Sequence, residues 1–287
     1  MLIGLKSICV ILTRVTYAPL MLFGFVGGAI WLLTMGYSHW FLAPLLSAAV
    51  LFSFLAERTA PYQPDANTSK DDAGRDATHF VVNEASSAIA LTLIPILSSL
   101  SPFGGHWPHA WPLWLQVIAA ILVADAGITI AHYLSHRLHW LWRFHAVHHS
   151  VERLYGFNGF MKHPIHQAIE TTAGVTPLLL IGMPLDVGIL LGFSVAIQLL
   201  LQHSNVDMRI GPLKYVFAFA PVHRFHHQRG GHIGNVNFGL FTTIWDRLLG
   251  TFVHDNRHFY PGDFGIGDRP DYPKKYSAQL FEPFRGE

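Results

Sequence analysis

HYLSHRLHWLWRFHAVHHS, residues 132–150, sets six histidines within nineteen positions directly after an apolar run, and HRFHH at 223–227 echoes it late in the chain. Together they contain one HxxxH box, His132 and His136, and two HxxHH boxes, His145 with His148 and His149, and His223 with His226 and His227. On an α-helix, residues three and four apart share a face, so each box predicts two or three imidazoles aimed in one direction. Neutral imidazole ligates iron, copper, nickel and zinc, and these eight histidines are too many for one tetrahedral zinc. Two metal ions, held by distant segments brought together, are the natural fit. A lone histidine is more often a hydrogen-bonded helix-end or interface residue, but three boxes in this register are poorly explained that way.

Working outward, 51% of the 287 residues are apolar and only 13% are charged. With a mean hydropathy of +0.32, the chain is too apolar for an ordinary soluble domain and too interrupted by charge to lie wholly in lipid. A net charge of +1, with no dense Lys/Arg run, excludes nucleic acid as a partner. The single cysteine, Cys9, excludes an intramolecular disulfide and a cysteine-ligated iron–sulfur cluster built by this chain alone. Any electrons the chain consumes come from elsewhere.

Residues 1–16 read as an uncleaved start, because no small-residue cleavage pattern follows them. Tyr17 to Met35 and Trp40 to Ala56 predict a transmembrane hairpin. The proline-punctuated segment 57–83 reads as a solvent-facing connection whose charges are a solvated face. A second apolar pair, Ala85 to Leu100 and Trp114 to Ala131, is joined by SPFGGHWPHAWP, where His106 and His109 read as surface histidines. Lys6, Arg14, Arg58, Lys70, Arg75, Arg137, Arg143, Arg153 and Lys162 all fall on one side of these four spans, which the positive-inside rule makes the cytoplasm. Residues 171–202 are apolar but broken by GMP at 182–184, and predict a re-entrant or tilted hairpin; the polar, aromatic remainder from His203 predicts a cap. The expected fold is therefore an all-α integral membrane protein, with about four transmembrane helices, a short helical hairpin and a cytoplasmic histidine-rich cap. Residues 1–131 would carry the first helices, and 132–287 the histidine-box region with hairpin 171–202 and cap 203–287, functionally one domain. A bacterial inner membrane is the expected location, with the N-terminus and the metal site facing the cytoplasm.

From Asp125 to Phe252 the chain resembles the fatty acid hydroxylase and sterol desaturase superfamily of membrane histidine-box enzymes. Asp125 precedes HYLSHR at the family's distance, LWRFHAVHHS matches the second box, and ERLYGFNGFMKHP, QHSNVDMRIGP, HRFHH and IWDRLLGTF follow in family order. The resemblance implies two non-haem irons that activate O2 for attack on a C–H bond of a membrane lipid, with electrons from a separate reductase or ferredoxin. The implied ligands are His132, His136, His145, His148, His149, His223, His226 and His227, with His203 of the QHSN block as a ninth. His139 stands where the family more often has proline and is set aside. His163 matches a recurrent family histidine expected to support the site rather than bind metal, and His166 has no matching block and reads as structural. Tyr133 follows His132 where the family often has arginine, which leaves the partner of Arg137 open.

No Glu-x-x-His carboxylate set of the soluble di-iron type is found. Asp125, an acid inside an apolar run two turns before His132, is expected to hold an imidazole N–H. Asn205 and Asp246 have similar claims from their family blocks. Ligands must be unprotonated, so metal retention should fall below about pH 6. Desaturation, sterol C-4 methyl oxidation and ether-lipid cleavage would share such a centre. A non-enzymatic membrane metal- or haem-binding or transport protein is the other reading, but transport predicts ionisable residues strung along several spans.

Overall fold

Apolar runs bounded by glycine, proline and polar clusters become helices throughout the computed structural model, which describes residues 2–260 and 262–285. α1 (Leu2–Pro19) continues through a π-helical stretch, Leu20–Val26, into α2 (Gly27–Thr34), and α3 (Leu42–Thr59) returns alongside. After a polar connection come α4 (Ala73–Thr92), α5 (Ile94–Leu100), α6 (Leu113–Ser135), α7 (His139–His149), α8 (Pro164–Leu180) and α9 (Leu185–His203). Three short helices, α10 (Ala220–His223), α11 (Ile244–Leu249) and α12 (Tyr276–Phe281), lie in the cap. The described residues form no strand, only three isolated bridges.

Among the described residues, four segments are long and apolar enough to cross a membrane: Lys6–Thr34, His39–Thr59, Leu113–Ser135 and Leu185–His203. Their outer faces carry bare hydrophobics such as Phe23 (76% exposed) and Trp40 (86% exposed), the surface that lipid covers. The number of spans agrees with the sequence reading, but their membership differs. Ala85 to Leu100 is not one straight span: α4 and α5 meet at a 41° bend, where Pro95 in the first turn of α5 removes a helical N–H. In the hairpin expected over 171–202, the second arm, α9, is long enough to cross by itself. It sits at the centre of the bundle with 72% of its apolar window buried, whereas only 17% is buried for the first span.

Two further expectations change. The first helix starts well before Tyr17, and Arg14 on it pairs with Asp207 at 2.8 Å, which puts that level of the helix beside the cap. Segment 57–83 is not a solvated connection. Its second half is helical, and Glu57, Asp76, His79 and Asn83 are all buried. Glu57 accepts N–H bonds from Gly156 and Asn205, Asp76 accepts from the Tyr155 hydroxyl, and Asp72 is paired with Arg153 at 2.7 Å. Burial would raise the Asp72 carboxyl, but the Arg153 guanidinium overrides it and holds the group at about 2. This polar girdle fastens α3 and α4 to the segments that lead into and out of the histidine boxes.

Close backbone approach sets the register of α6 against α8. A Cβ at Gly127 would lie 2.1 Å from the Ala173 carbonyl oxygen, so only glycine fits. The main apolar core lies among the helices, and a smaller cluster joins Val147 and Met161 to the cap residues Phe225 and Phe264.

Candidate metal centre

α6 delivers His132 in its last turn, with His136 just beyond its end; α7 delivers His145, His148 and His149, α9 ends on His203, and α10 with the turn after it supplies His223, His226 and His227. Their ring nitrogens converge as two groups. One comprises His132, His136, His145, His149 and His226, the other His148, His203, His223 and His227, and within each group the atoms that could bind metal lie within 4.8 Å of one another. All nine histidines singled out from the sequence are thus brought together. The expectation that each HxxHH box aims in one direction is corrected, because each box divides between the groups. At 100° per residue, positions i and i+4 point 40° apart, while i+3 lies 100° from i+4. His145 and His149 therefore share one group and His148 enters the other; His223 and His227 pair while His226 crosses over.

The outer ring nitrogens decide what the inner ones can do. Nδ1 of His132 and of His226 face the carbonyl oxygens of Phe238 and Val236, each at 2.8 Å. A carbonyl only accepts, so both Nδ1 atoms carry the proton and both Nε2 atoms are bare acceptors. Those two bare Nε2 atoms lie 2.9 Å apart. His148 and His203 repeat the pattern, with Nδ1 on Met161 O and Leu199 O and Nε2 atoms 3.2 Å apart. Lone pair facing lone pair at this distance is repulsive unless a cation lies between them. Protonating one ring would also supply a hydrogen, but burial holds His148 and His226 well below the ordinary imidazole value. Nitrogens about 2.0–2.1 Å from one ion and at right angles are about 3.0 Å apart, the spacing seen here. His136 points a buried, unpartnered Nε2 into the same group while its Nδ1 meets Asn235 Oδ1 at 2.8 Å. The donor set fits two metal ions.

The four supporting residues named from the sequence behave differently from one another. Asp125 does not reach an imidazole. Its carboxylate accepts the backbone N–H groups of Leu240, Phe241 and Thr242 at 2.8–3.0 Å and the Thr242 hydroxyl at 2.7 Å. Asp246 grips the same loop from the other side, accepting from Phe238 N and Gly239 N. Two carboxylates therefore clamp the loop whose Phe238 carbonyl orients His132. Gly239 is required there, because a Cβ would lie 2.1 Å from Thr242 O. Asn205 ties the chain beyond His203 to Gln63 and Asn67, away from the ring nitrogens. His163 caps α8 through Ile165 N and contacts Leu280 O, so it too stands outside both groups. His139 is exposed at the start of α7.

Two side chains at the centre went unrecognised in the sequence. A space of about 10 Å³, the size of one water, lies between His132 and His145 of one group and His148, His203 and His223 of the other; Lys162 and Glu170 form part of its wall. They pair at 2.5 Å, and His166, one turn before Glu170, places Nδ1 3.8 Å from the same carboxylate and its ring 4.4 Å from that of His145. The signal was present: an acid within an apolar helix, four residues after a histidine. A separate cleft of about 340 Å³, lined by the α6–α7 connection and by cap residues, reaches His136, His149 and His226 beside Trp142.

The fatty acid hydroxylase family profile matches residues 117–251, a span that includes all nine histidines. An ornithine lipid hydroxylase of Rhizobium tropici is 36% identical over 85% of this chain and 76% of its own length. The chain belongs to the fatty acid hydroxylase family. This membership makes it an oxidoreductase of the hydroxylase class and an integral membrane protein. Other relatives match less of the family region's surroundings. Alkylglycerol monooxygenase of Danio rerio is 30% identical over 52% of this chain and 32% of its own length, and a very-long-chain aldehyde decarbonylase of Oryza sativa is 26% identical over 49% of this chain and 55% of its own length. No solved structure matches the chain.

Burial also sets an expectation for acid. It pushes His145, His149, His223 and His227 well below 6.5 and His136 down to about 4. The unfolded chain therefore takes up protons first as pH falls through 6.5, so stability is present above that value and is lost progressively down to the folded-state values. For His136 the window closes near pH 4 and the loss is roughly 3 kcal/mol. The thermal midpoint of metal-free protein in detergent should fall steeply between about pH 6.5 and 4. A flat midpoint across that range would contradict the buried, neutral state of these rings.

Proposed function

We propose that this chain is an O2-dependent di-iron hydroxylase that acts on a C–H bond of a membrane lipid. The observation that supports the reading is the pair of histidine groups, each with two bare Nε2 atoms facing one another, a donor arrangement that one cation in each group would satisfy. His132, His136, His145, His149 and His226 would hold one iron and His148, His203, His223 and His227 the other. Bound there, the two irons would supply the one-electron redox chemistry that makes O2 reactive toward an unactivated C–H bond. The chain's part is positioning: carbonyls at Phe238, Val236, Met161 and Leu199 fix the tautomers, and the clamped loop prevents His132 from turning.

The small space between the groups excludes all but about one water, which limits side reactions of reactive oxygen species. Ile128 of α6 and Leu240 form its apolar wall, on the side where α6 enters the apolar layer, so a lipid chain approaching along α6 meets Ile128 first. Electrons would enter from the cap side, where the cleft reaches His136 and His149, from a separate ferredoxin or reductase. Placing the cap in the cytoplasm of a bacterial inner membrane rests on the lysines and arginines that gather at that end.

The relative that matches most of the chain acts, by its name, on an ornithine lipid, which makes an amino-acid-headgroup lipid the first substrate to assay. Purified protein should contain two irons per chain. Cells that make ornithine lipid should, on expressing it, accumulate a lipid one oxygen heavier, with the label derived from ¹⁸O2. One haem per chain, or zinc alone with no oxygenated lipid, would refute the proposal.

A further inference from the structure

We propose that Glu170 and Lys162 are the proton-delivery pair of this centre, an inference that rests on the hydroxylase reading above. Hydroxylation converts R–H, O2, two electrons and two protons into R–OH and H2O. The O–O bond breaks, one oxygen enters the C–H bond, and the other leaves as water carrying the two protons. The electrons come from the separate carrier protein; the protons must cross an apolar, water-poor interior.

Glu170 is the one carboxylate that lines the space between the two histidine groups among the described residues, and Lys162 lines it beside Glu170. Their contact, at 2.5 Å, joins a Glu170 side chain that is 6% exposed to a Lys162 side chain that is 11% exposed, the latter lying two residues before α8. His166 extends the contact, with Nδ1 3.8 Å from the carboxylate and Nε2 2.9 Å from Ser135 Oγ on α6. A buried ion pair is weak evidence for a purely stabilising role, because a well-packed apolar pair usually does as well.

The other acids near the centre are held differently. Asp125 and Asp246 are locked by backbone N–H groups. The Glu170 carboxylate is held by a side chain alone, the Lys162 ammonium, with His166 Nδ1 3.8 Å away. It can exchange a proton with the enclosed space without breaking a backbone hydrogen bond. Lys162 is anchored at its backbone, where its carbonyl accepts from Asn83 Nδ2, while its ammonium bonds the Glu170 carboxylate.

The test uses full-length protein loaded with two irons, reduced ferredoxin as donor and vesicles containing ornithine lipid. Glu170→Gln should keep both irons and accept electrons at the wild-type rate. It should form hydroxylated lipid about 10²-fold more slowly, with hydrogen peroxide appearing in its place and a larger solvent deuterium isotope effect. Glu170→Asp should recover much of the coupling, and Lys162→Met should uncouple in the same way. Unchanged product per O2 in both Glu170→Gln and Lys162→Met overturns the inference, and so does loss of iron from Glu170→Gln, which would make Glu170 a support for the ligands. A wild-type protein that consumes no O2 with lipid present overturns the hydroxylase reading itself.

Discussion

His203→Ala is expected to lose one of the two metal ions and to reduce turnover by more than about 10²-fold, since even residues that only orient metal ligands are worth 10–100-fold. His203 is one of four histidines in its group, and its Nε2 lies 3.2 Å from those of both His148 and His227. Removing it leaves three donors and an opening in a site whose members are otherwise 0–2% exposed. The five-histidine group shares no ligand with it and should keep its ion. Metal analysis of purified protein should therefore read close to one ion per chain, whereas His139→Ala, at an exposed position outside both groups, should read two. Two ions retained in His203→Ala would remove His203 from the ligand set and leave its group with three histidines.

How much of this was legible in the sequence follows from the range over which each feature is determined. The boxes were legible because a helix fixes the relation between residues three and four apart, and that relation survives whatever the rest of the chain does. The same arithmetic contained the division of each HxxHH box between two groups, since i+3 and i+4 point 100° apart. Segment 57–83 was misread because local composition looked solvated, yet its charges find Tyr155, Arg153 and Asn205 between 79 and 148 residues away. Nothing in a local window distinguishes a solvated Asp76 from one that is 0% exposed. The bend at Leu93 was legible in principle from Pro95 alone. Lys162 and Glu170 are eight residues apart, one before α8 and one within it, and no local window shows that their side chains meet.

Asp125 also shows how the right residue can carry a different role from the one spacing suggests. Two turns separate it from His132, so the same helical face allowed a direct bond; the bond that forms reaches 115 residues along the chain to Leu240. Asp125→Asn is therefore expected to act through the loop. The amide oxygen can still accept from Leu240 and Phe241, but its NH2 group would meet the Thr242 N–H, donor against donor, at a cost of about 1–3 kcal/mol. The loop then shifts under the Phe238 carbonyl, and His132 loses its fixed tautomer and orientation. Affinity for the ion in the five-histidine group should fall about 10–100-fold, while the four-histidine group, where the carbonyls facing His148 and His203 belong to Met161 and Leu199 outside this loop, keeps its ion. Competition with a chelator should accordingly strip one ion from Asp125→Asn before the other, at chelator concentrations that leave the wild type intact. If both ions leave together, or neither leaves early, the carboxylate serves only the folding of the loop. An early loss confined to one ion would show that a buried acid with no metal or imidazole contact sets the strength of half the centre.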